Sequence, residues 1–136
     1  MKTLITLLLL FSFNLSYSQQ IKCEKNKYYY FGKFSKTSES YIMITDFVSI
    51  DNKYSSDLKV GYGFIKDVFN NGNKKIIAFS LSCTQKNLTE EGYVLYDKNN
   101  DVLKTSENQY TTDKFYPDTK AENLYNWICS CLNYNK

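Results

Sequence analysis

Four cysteines, Cys23, Cys83, Cys129 and Cys131, are the residues of this chain whose type and number point most directly to chemistry. Thiols can bind metal, attack as nucleophiles or oxidise in pairs. A four-thiolate zinc site usually shows paired C-x2-C knuckles. Here one pair is spaced Cys-x-Cys and the other two cysteines stand alone, so zinc fits poorly. An even number of cysteines in a small exported chain reads as two disulfides, with three pairings open.

The remaining chemistry is defined by what is missing. The chain has no histidine. His-based acid/base catalysis, Ser/His and Cys/His nucleophilic pairs and His-ligated zinc are therefore impossible. Glu90-Glu91 are adjacent carboxylates, but neighbours in a strand or turn point apart and form no glycosidase-type pair. Asp97-x-Asn99-x-Asp101 resembles the start of a calcium loop. The glycine and glutamate that such a loop needs are replaced by Val102 and Asn108, and a hairpin turn explains the same residues. Asn87-Leu88-Thr89 matches a glycosylation acceptor. The signal ends in Ser-Gln-Gln and the chain favours Lys, Asn and Ile, a bacterial pattern in which that acceptor goes unused. The expectation is a non-enzymatic protein with no catalytic residue, no cofactor and no metal.

Binding chemistry has one candidate. Tyr28, Tyr29, Tyr30, Phe31 and Phe34 form a dense aromatic run. Alternation along a strand sends some rings inward and others outward, and outward rings can hold a peptide or a sugar. Tyr28, Tyr30 and Phe34 are the candidates for ligand contact. The basic residues are all Lys, 17 of them against 14 acids, and the formal net charge is +3. Without the Arg fork and without a large positive charge, nucleic acid is not an expected partner.

The N-terminus carries Lys2, then an apolar run from Leu4 to Phe13, then Ser16-Tyr17-Ser18 before Gln19. This is the layout of a cleavable secretory signal covering residues 1–18. The run is about ten residues, short of the ~20 that span a bilayer, so no stable membrane insertion is expected. Cys23 comes too late for a lipid anchor. Residues 19–136 then form one domain, with no repeat, low-complexity tract or boundary.

Within it, Tyr, Phe, Ile and Val alternate with Asn, Asp, Gly and Ser turns, which predicts short antiparallel strands. Strands are expected at 27–34, 41–50, 58–69 and 74–84, with Ser35–Ser40 as a polar turn and residues 51–56 as a loop. In the third, Leu58, Val60, Tyr62 and Phe64 alternate as a half-buried strand should. In the fourth, Ile77, Phe79, Leu81 and Cys83 share the apolar face. Gly92–Tyr96 and Asp101–Leu103 flank a hairpin turn at 97–100. The last element is a helix capped by Thr119 and Glu122, with Ala121, Leu124, Tyr125, Ile128, Cys131 and Leu132 as its apolar stripe. Cys129 lies at the edge of that stripe. A bridge between Cys129 and Cys131 is disfavoured, since helical residues two apart point about 200° from each other. The fold class is α+β, an antiparallel β-sheet with a C-terminal helix packed on one face.

From about residue 30 to 129 the chain resembles the surface-adhesin protein E family of small exported bacterial proteins. The residues that carry the resemblance are Tyr41, Asp46-Phe47-Val48-Ser49-Ile50, Val60 to Lys66, Ser82-Cys83, Tyr93 to Asp97, Asn100 to Leu103, Tyr116 to Thr119 and Leu124-Tyr125-x-x-Ile128-Cys129. The resemblance implies an antiparallel sheet with a helix, and a surface or periplasmic binding protein. The family's best-known member is an adhesin for host matrix proteins. It also implies that Cys83 pairs with Cys129, and the expected second bridge is Cys23 with Cys131. The exchanged pairing stays open, because Cys131 lies nearer the centre of the apolar stripe. The expected function is thus an exported, adhesin-like binding domain, secreted or periplasmic and associated with the cell envelope or surface. Its expected partner is a protein or other macromolecule, with a homodimer as a further assembly. The alternative is a structural or inhibitory partner of another envelope protein. Non-reducing peptide mapping of the exported chain is expected to show two disulfides; four free thiols would overturn the oxidised-domain reading.

Overall fold

The computed structural model describes residues 23–51, 53 and 58–134. The expected signal and most of the 51–56 loop lie outside the described residues. Seven strands and one helix follow in chain order: β1 (Tyr28–Ser35), β2 (Ser38–Ile50), β3 (Leu58–Phe69), β4 (Lys74–Ser82), β5 (Asn87–Tyr96), β6 (Val102–Ser106), β7 (Tyr110–Thr112) and α1 (Lys120–Tyr134). The strands make one antiparallel sheet in which β1 to β6 are neighbours in sequence order. The outer edge of β5 is shared: β6 pairs with residues 93–96 and β7 with residues 88–90. Short turns suffice because every neighbour runs antiparallel. At the β3–β4 turn Gly72 takes a φ of +87°, a conformation that glycine adopts without strain. At the β5–β6 turn the Asp97 carboxylate accepts the backbone N–H groups of Asn99 and Asp101 at 2.7 and 2.9 Å. The Asp97-x-Asn99-x-Asp101 motif is thus a side-chain-closed turn.

Helix α1 starts where its capping residues predict. The Glu122 N–H donates to the Thr119 hydroxyl at 3.2 Å, and the Glu122 carboxylate accepts the Asp118 N–H at 2.8 Å. The helix lays Leu124, Ile128, Cys131 and Leu132 on one sheet face, against Ile42, Ile44, Ile65, Ile77, Phe79, Leu81 and Leu88. Leu124 and Ile128 are fully buried, and each such side chain stabilises the fold by about 1.5–3 kcal/mol. Beside this core Trp127 stacks on Phe31, with ring centroids 5.6 Å apart, and meets Tyr29 edge-on at 6.1 Å. That contact holds the edge strand β1 against the helix.

A polar tie sets the start of the helix. The Asp67 carboxylate accepts the Ser40 hydroxyl at 2.6 Å and pairs with the Lys120 ammonium, so β2, β3 and α1 share one half-buried charge. This explains a difference from the sequence reading. Ser38–Ser40 is not a turn but the start of β2, because Ser38 and Ser40 face the helix side, are buried, and Ser40 has a carboxylate partner there. Strand β5 likewise begins at Asn87, five residues earlier than predicted, because Leu88 is buried opposite Leu81. Glu90 and Glu91 therefore lie in a strand, at a bulge between Ala78 and Phe79 of the partner. The short β7 had no sequence signal.

The alternation in β3 left open which of its faces the helix covers. Its bulky alternating set, Leu58, Val60, Tyr62 and Phe64, does not face the helix. The helix side of β3 carries Gly61, Gly63 and Ile65. A methyl group at Gly61 would sit 2.5 Å from the Ile128 Cγ2, and one at Gly63 would strike the Met43 carbonyl and lie 3.1 Å from the Phe79 ring. The helix packs on Gly61, and Gly63 beside it makes room for the Met43 carbonyl and the Phe79 ring, so the strand's large residues lie on the other side.

Two disulfides staple the helix. Cys83 at the end of β4 bonds Cys129, and Cys23, just ahead of β1, bonds Cys131. The first spans 46 residues and the second 108. In the chain-entropy account a 46-residue loop stabilises the fold by about 4 kcal/mol, against a net stability of about 5–15 kcal/mol for an ordinary domain. No described helix is long and apolar enough to cross a membrane. Gly63→Ala is expected to lower the stability read from urea unfolding by at least about 2 kcal/mol, since the atom it meets is backbone and cannot turn aside.

Candidate functional site: the uncovered face

With α1 on one face, the opposite face of the sheet has no covering element among the described residues. The strand register lists its side chains in rows. One row reads Tyr30, Tyr41, Lys66, Ile76 and Val94 from β1 to β5. The next, about 7 Å along the strands, reads Tyr28, Met43, Phe64, Ala78 and Gly92. The third reads Asp46, Tyr62, Ser80, Thr89 and Thr111. Large rings thus crowd β1 to β3, while β4, β5 and β7 carry Ile76 and Val94 beside Ala78, Gly92 and the hydroxyl side chains Ser80, Thr89 and Thr111. Tyr96 completes the face beside Lys74.

The rings are ordered around one cation. The Lys66 ammonium lies 4.1 Å from the centre of the Tyr28 ring and 5.2 Å from that of Tyr41. Tyr30 meets Tyr41 edge-on, centroids 5.7 Å apart. A cation over ring faces is attracted by their negative quadrupole. Lys66 is half-buried and has no carboxylate partner among the described residues, where the ion pairs are Lys25–Asp46, Lys27–Glu24 and Lys120–Asp67. Tyr30 is 55% exposed and Tyr62 39%, so two rings reach water from this face, as do the aliphatic side chains of Ile50, Leu58 and Val102 toward its margins.

Electrostatics follow the packing. Burial, then the neighbouring Tyr96, push the Tyr28 phenol above its ordinary value. Burial, then Glu39, do the same for Tyr41. On the helix side, burial and a 2.7 Å hydrogen bond to Glu24 push Tyr29 up to about 12. Asp46 is held below the usual carboxylate range by the Lys25 ammonium and the Phe47 N–H.

Of the three rings singled out in the sequence, Tyr28 and Tyr30 share the uncovered face. Phe34 does not join them. It leans on Phe31 at 5.2 Å, at the β1 edge beyond the bulges around Gly32. Tyr41, Tyr62, Phe64, Lys66 and Tyr96 were not recognised as part of the site. The available signal was the pair Gly61 and Gly63, two apart in a strand, which marks the side that something approaches closely. Among the described residues no three of Cys, Asp and Glu cluster as a metal would need. The class this geometry defines is a disulfide-stapled, helix-backed sheet with one aromatic face bare. Comparison with protein-family models, curated proteins and solved structures finds no match to the chain.

The raised phenols carry a sign. The fold favours their neutral form, so their stabilising share is present below the unfolded value of 10 and is lost as pH climbs through the folded value. Ultraviolet titration is expected to show a phenol that ionises near pH 12 and vanishes in Tyr29→Phe, with stability falling between pH 10 and 12. A Tyr29→Phe curve identical to that of the parent would contradict the assignment.

Proposed function

We propose that this chain is an exported, non-enzymatic binding domain, adhesin-like in character, and that its uncovered sheet face takes up a macromolecular ligand. The carrying observation is the face itself. Aromatic and aliphatic side chains from five strands line it, a lysine without a carboxylate partner sits at its centre, and no described element covers it. Exposed apolar patches of this kind mark interaction sites more often than neutral surface, and Tyr is among the residues that dominate binding energetics. The signal-like N-terminus and the two disulfides support a secreted or periplasmic location. The resemblance to the surface-adhesin protein E family supports the same reading, with a host-matrix or envelope protein as one partner class.

The alternative, a structural or inhibitory partner of another envelope protein, has its own observation. Val102, Leu103 and Tyr110 are more than half exposed on the β6–β7 edge. An unpaired edge with apolar side chains is a template for strand addition. Capture experiments with the mature protein separate the two. The double variant Tyr30→Ala/Tyr62→Ala is expected to weaken retention of the native ligand at least about tenfold, with the fold intact by circular dichroism. Loss of capture on Leu103→Glu instead would favour the edge. Turnover of a substrate by the pure protein would sink the non-enzymatic reading.

A further inference from the structure

We infer that the uncovered face is covered in solution by a second copy of the chain, the two sheets stacking face to face about a two-fold axis that runs along β3. The inference rests on the reading of this face as a macromolecular binding surface and names the macromolecule.

Charge is the first argument. The face sets Lys66 and Lys74 against Glu39 and Asp97, and none of the four has an oppositely charged partner among the described residues. Glu39 on β2 and Lys74 on β4 stand in one row, either side of Val68 on β3. Glu39 accepts the Tyr41 hydroxyl at 3.4 Å, and Lys74 donates to the neutral Asn100 amide at 2.7 Å. A two-fold contact repeats every pair in both directions. An axis along β3 lays β2 of one copy over β4 of the other, so Glu39 of each copy meets Lys74 of the other.

Shape is the second argument. The same axis sets β1 and β2 of each copy over β5 and β4 of the other. The rows then place Tyr30 over Val94, Tyr28 over Gly92, Tyr41 over Ile76 and Met43 over Ala78. The large side chains of one half meet the smaller ones of the other, as two aligned, interdigitating sheets require. Tyr62, Phe64 and Val68 lie along the axis and meet their own counterparts. Lys66 lies there too, but its ammonium leans over the Tyr28 ring of its own chain, 4.1 Å from the centre. The two lysines therefore lean to opposite sides of the axis and keep their ring partners.

The face can also leave water. The hydroxyls of Thr89 and Thr111 already bond each other at 3.1 Å, so covering them orphans neither. From β1 to β5 and from Val60 to Val68 the face measures roughly 19 Å by about 27 Å, so two stacked copies cover about 1,000 Å² in all, the lower end for a specific interface. The dimer is accordingly weak and concentration-dependent. Pairing through a strand edge fits less well. The β1 edge is interrupted by register shifts around Gly32, and β6 carries Lys104 at its middle.

Sedimentation equilibrium of the oxidised mature protein, from micromolar to millimolar concentration, tests this. A monomer–dimer equilibrium is expected. Glu39→Lys and Lys74→Glu are each expected to raise the dissociation constant at least about tenfold, since each sets like charges against one another at two places. Mixing the two variants is expected to restore association, and so is combining both changes in one chain, with circular dichroism unchanged throughout. A chain that stays monomeric up to millimolar concentration would overturn the inference. So would a dimer indifferent to both charge reversals, a mixture that fails to recover, or a dimer dispersed by Leu103→Glu instead. The binding-domain reading is judged separately, by capture. It stands without the dimer if Tyr30→Ala/Tyr62→Ala weakens retention of a different protein, and falls if the chain retains neither itself nor another.

Discussion

Ile128 of the helix rests where a β3 side chain would otherwise stand, over Gly61. That contact decides the rest of the molecule. Because β3 offers Gly61 to the helix, Ile128 seats closely on the sheet, where Leu124, Ile128 and Cys131 are fully buried. Close approach in turn brings the helix cysteines to Cys83 and Cys23 with Cα separations of 5.6 Å, inside the range a disulfide needs. Alternation then forces the bulky residues of β3 onto the opposite face. Core, staples and aromatic surface are consequences of one small-residue seam.

The helix is anchored by different physics along its length. Its N-terminal end is held by a cap and by the Lys120–Asp67–Ser40 tie, which is electrostatic and partly desolvated. Its C-terminal half is held covalently through Cys129 and Cys131. Between them, apolar packing and the Trp127–Phe31 stack do the rest. Among the described residues no buried side-chain polar atom lacks a hydrogen-bond partner. An unpaired polar group buried in that interface would cost about 1–3 kcal/mol, so the pairing of Ser40 and Asp67 is part of what permits a charge there.

The bare face is stable without a covering element because its members cover one another. The rings of Tyr28 and Tyr41 shield Lys66, and cross-strand neighbours keep Met43, Phe64 and Ile76 half-buried. Tyr30 and Tyr62 stand out from it, and Ile50, Leu58 and Val102 do so toward its margins. This divides the face into a packed, preorganised base and a few accessible contacts, the arrangement in which bound groups lose little freedom on docking.

Much of the architecture was legible in the residues. The antiparallel sheet, the apolar face of β4 and the capped C-terminal helix follow from periods of two and of 3.6, which are local properties of the chain. The hairpin at Asp97 is local too. What the sequence left open was relational. Which face of β3 the helix covers depends on how closely two backbones approach, and hydrophobicity alone points the wrong way there: Tyr62 and Phe64 outrank Gly61 and Gly63 on any such scale. The buried Ser38 and Ser40 became strand residues because Asp67, 27 residues beyond Ser40, satisfies Ser40. The choice between Cys129 and Cys131 was settled only in the packed fold, where Cys129 bonds Cys83 and Cys131 bonds Cys23. For the same reason the candidate site was half visible: Tyr28 and Tyr30 were singled out, but Tyr41, Tyr62 and Lys66 join them only across strand pairings. A sequence determines which side chains alternate; only the packed sheet determines which of the two resulting faces meets the helix and which meets water.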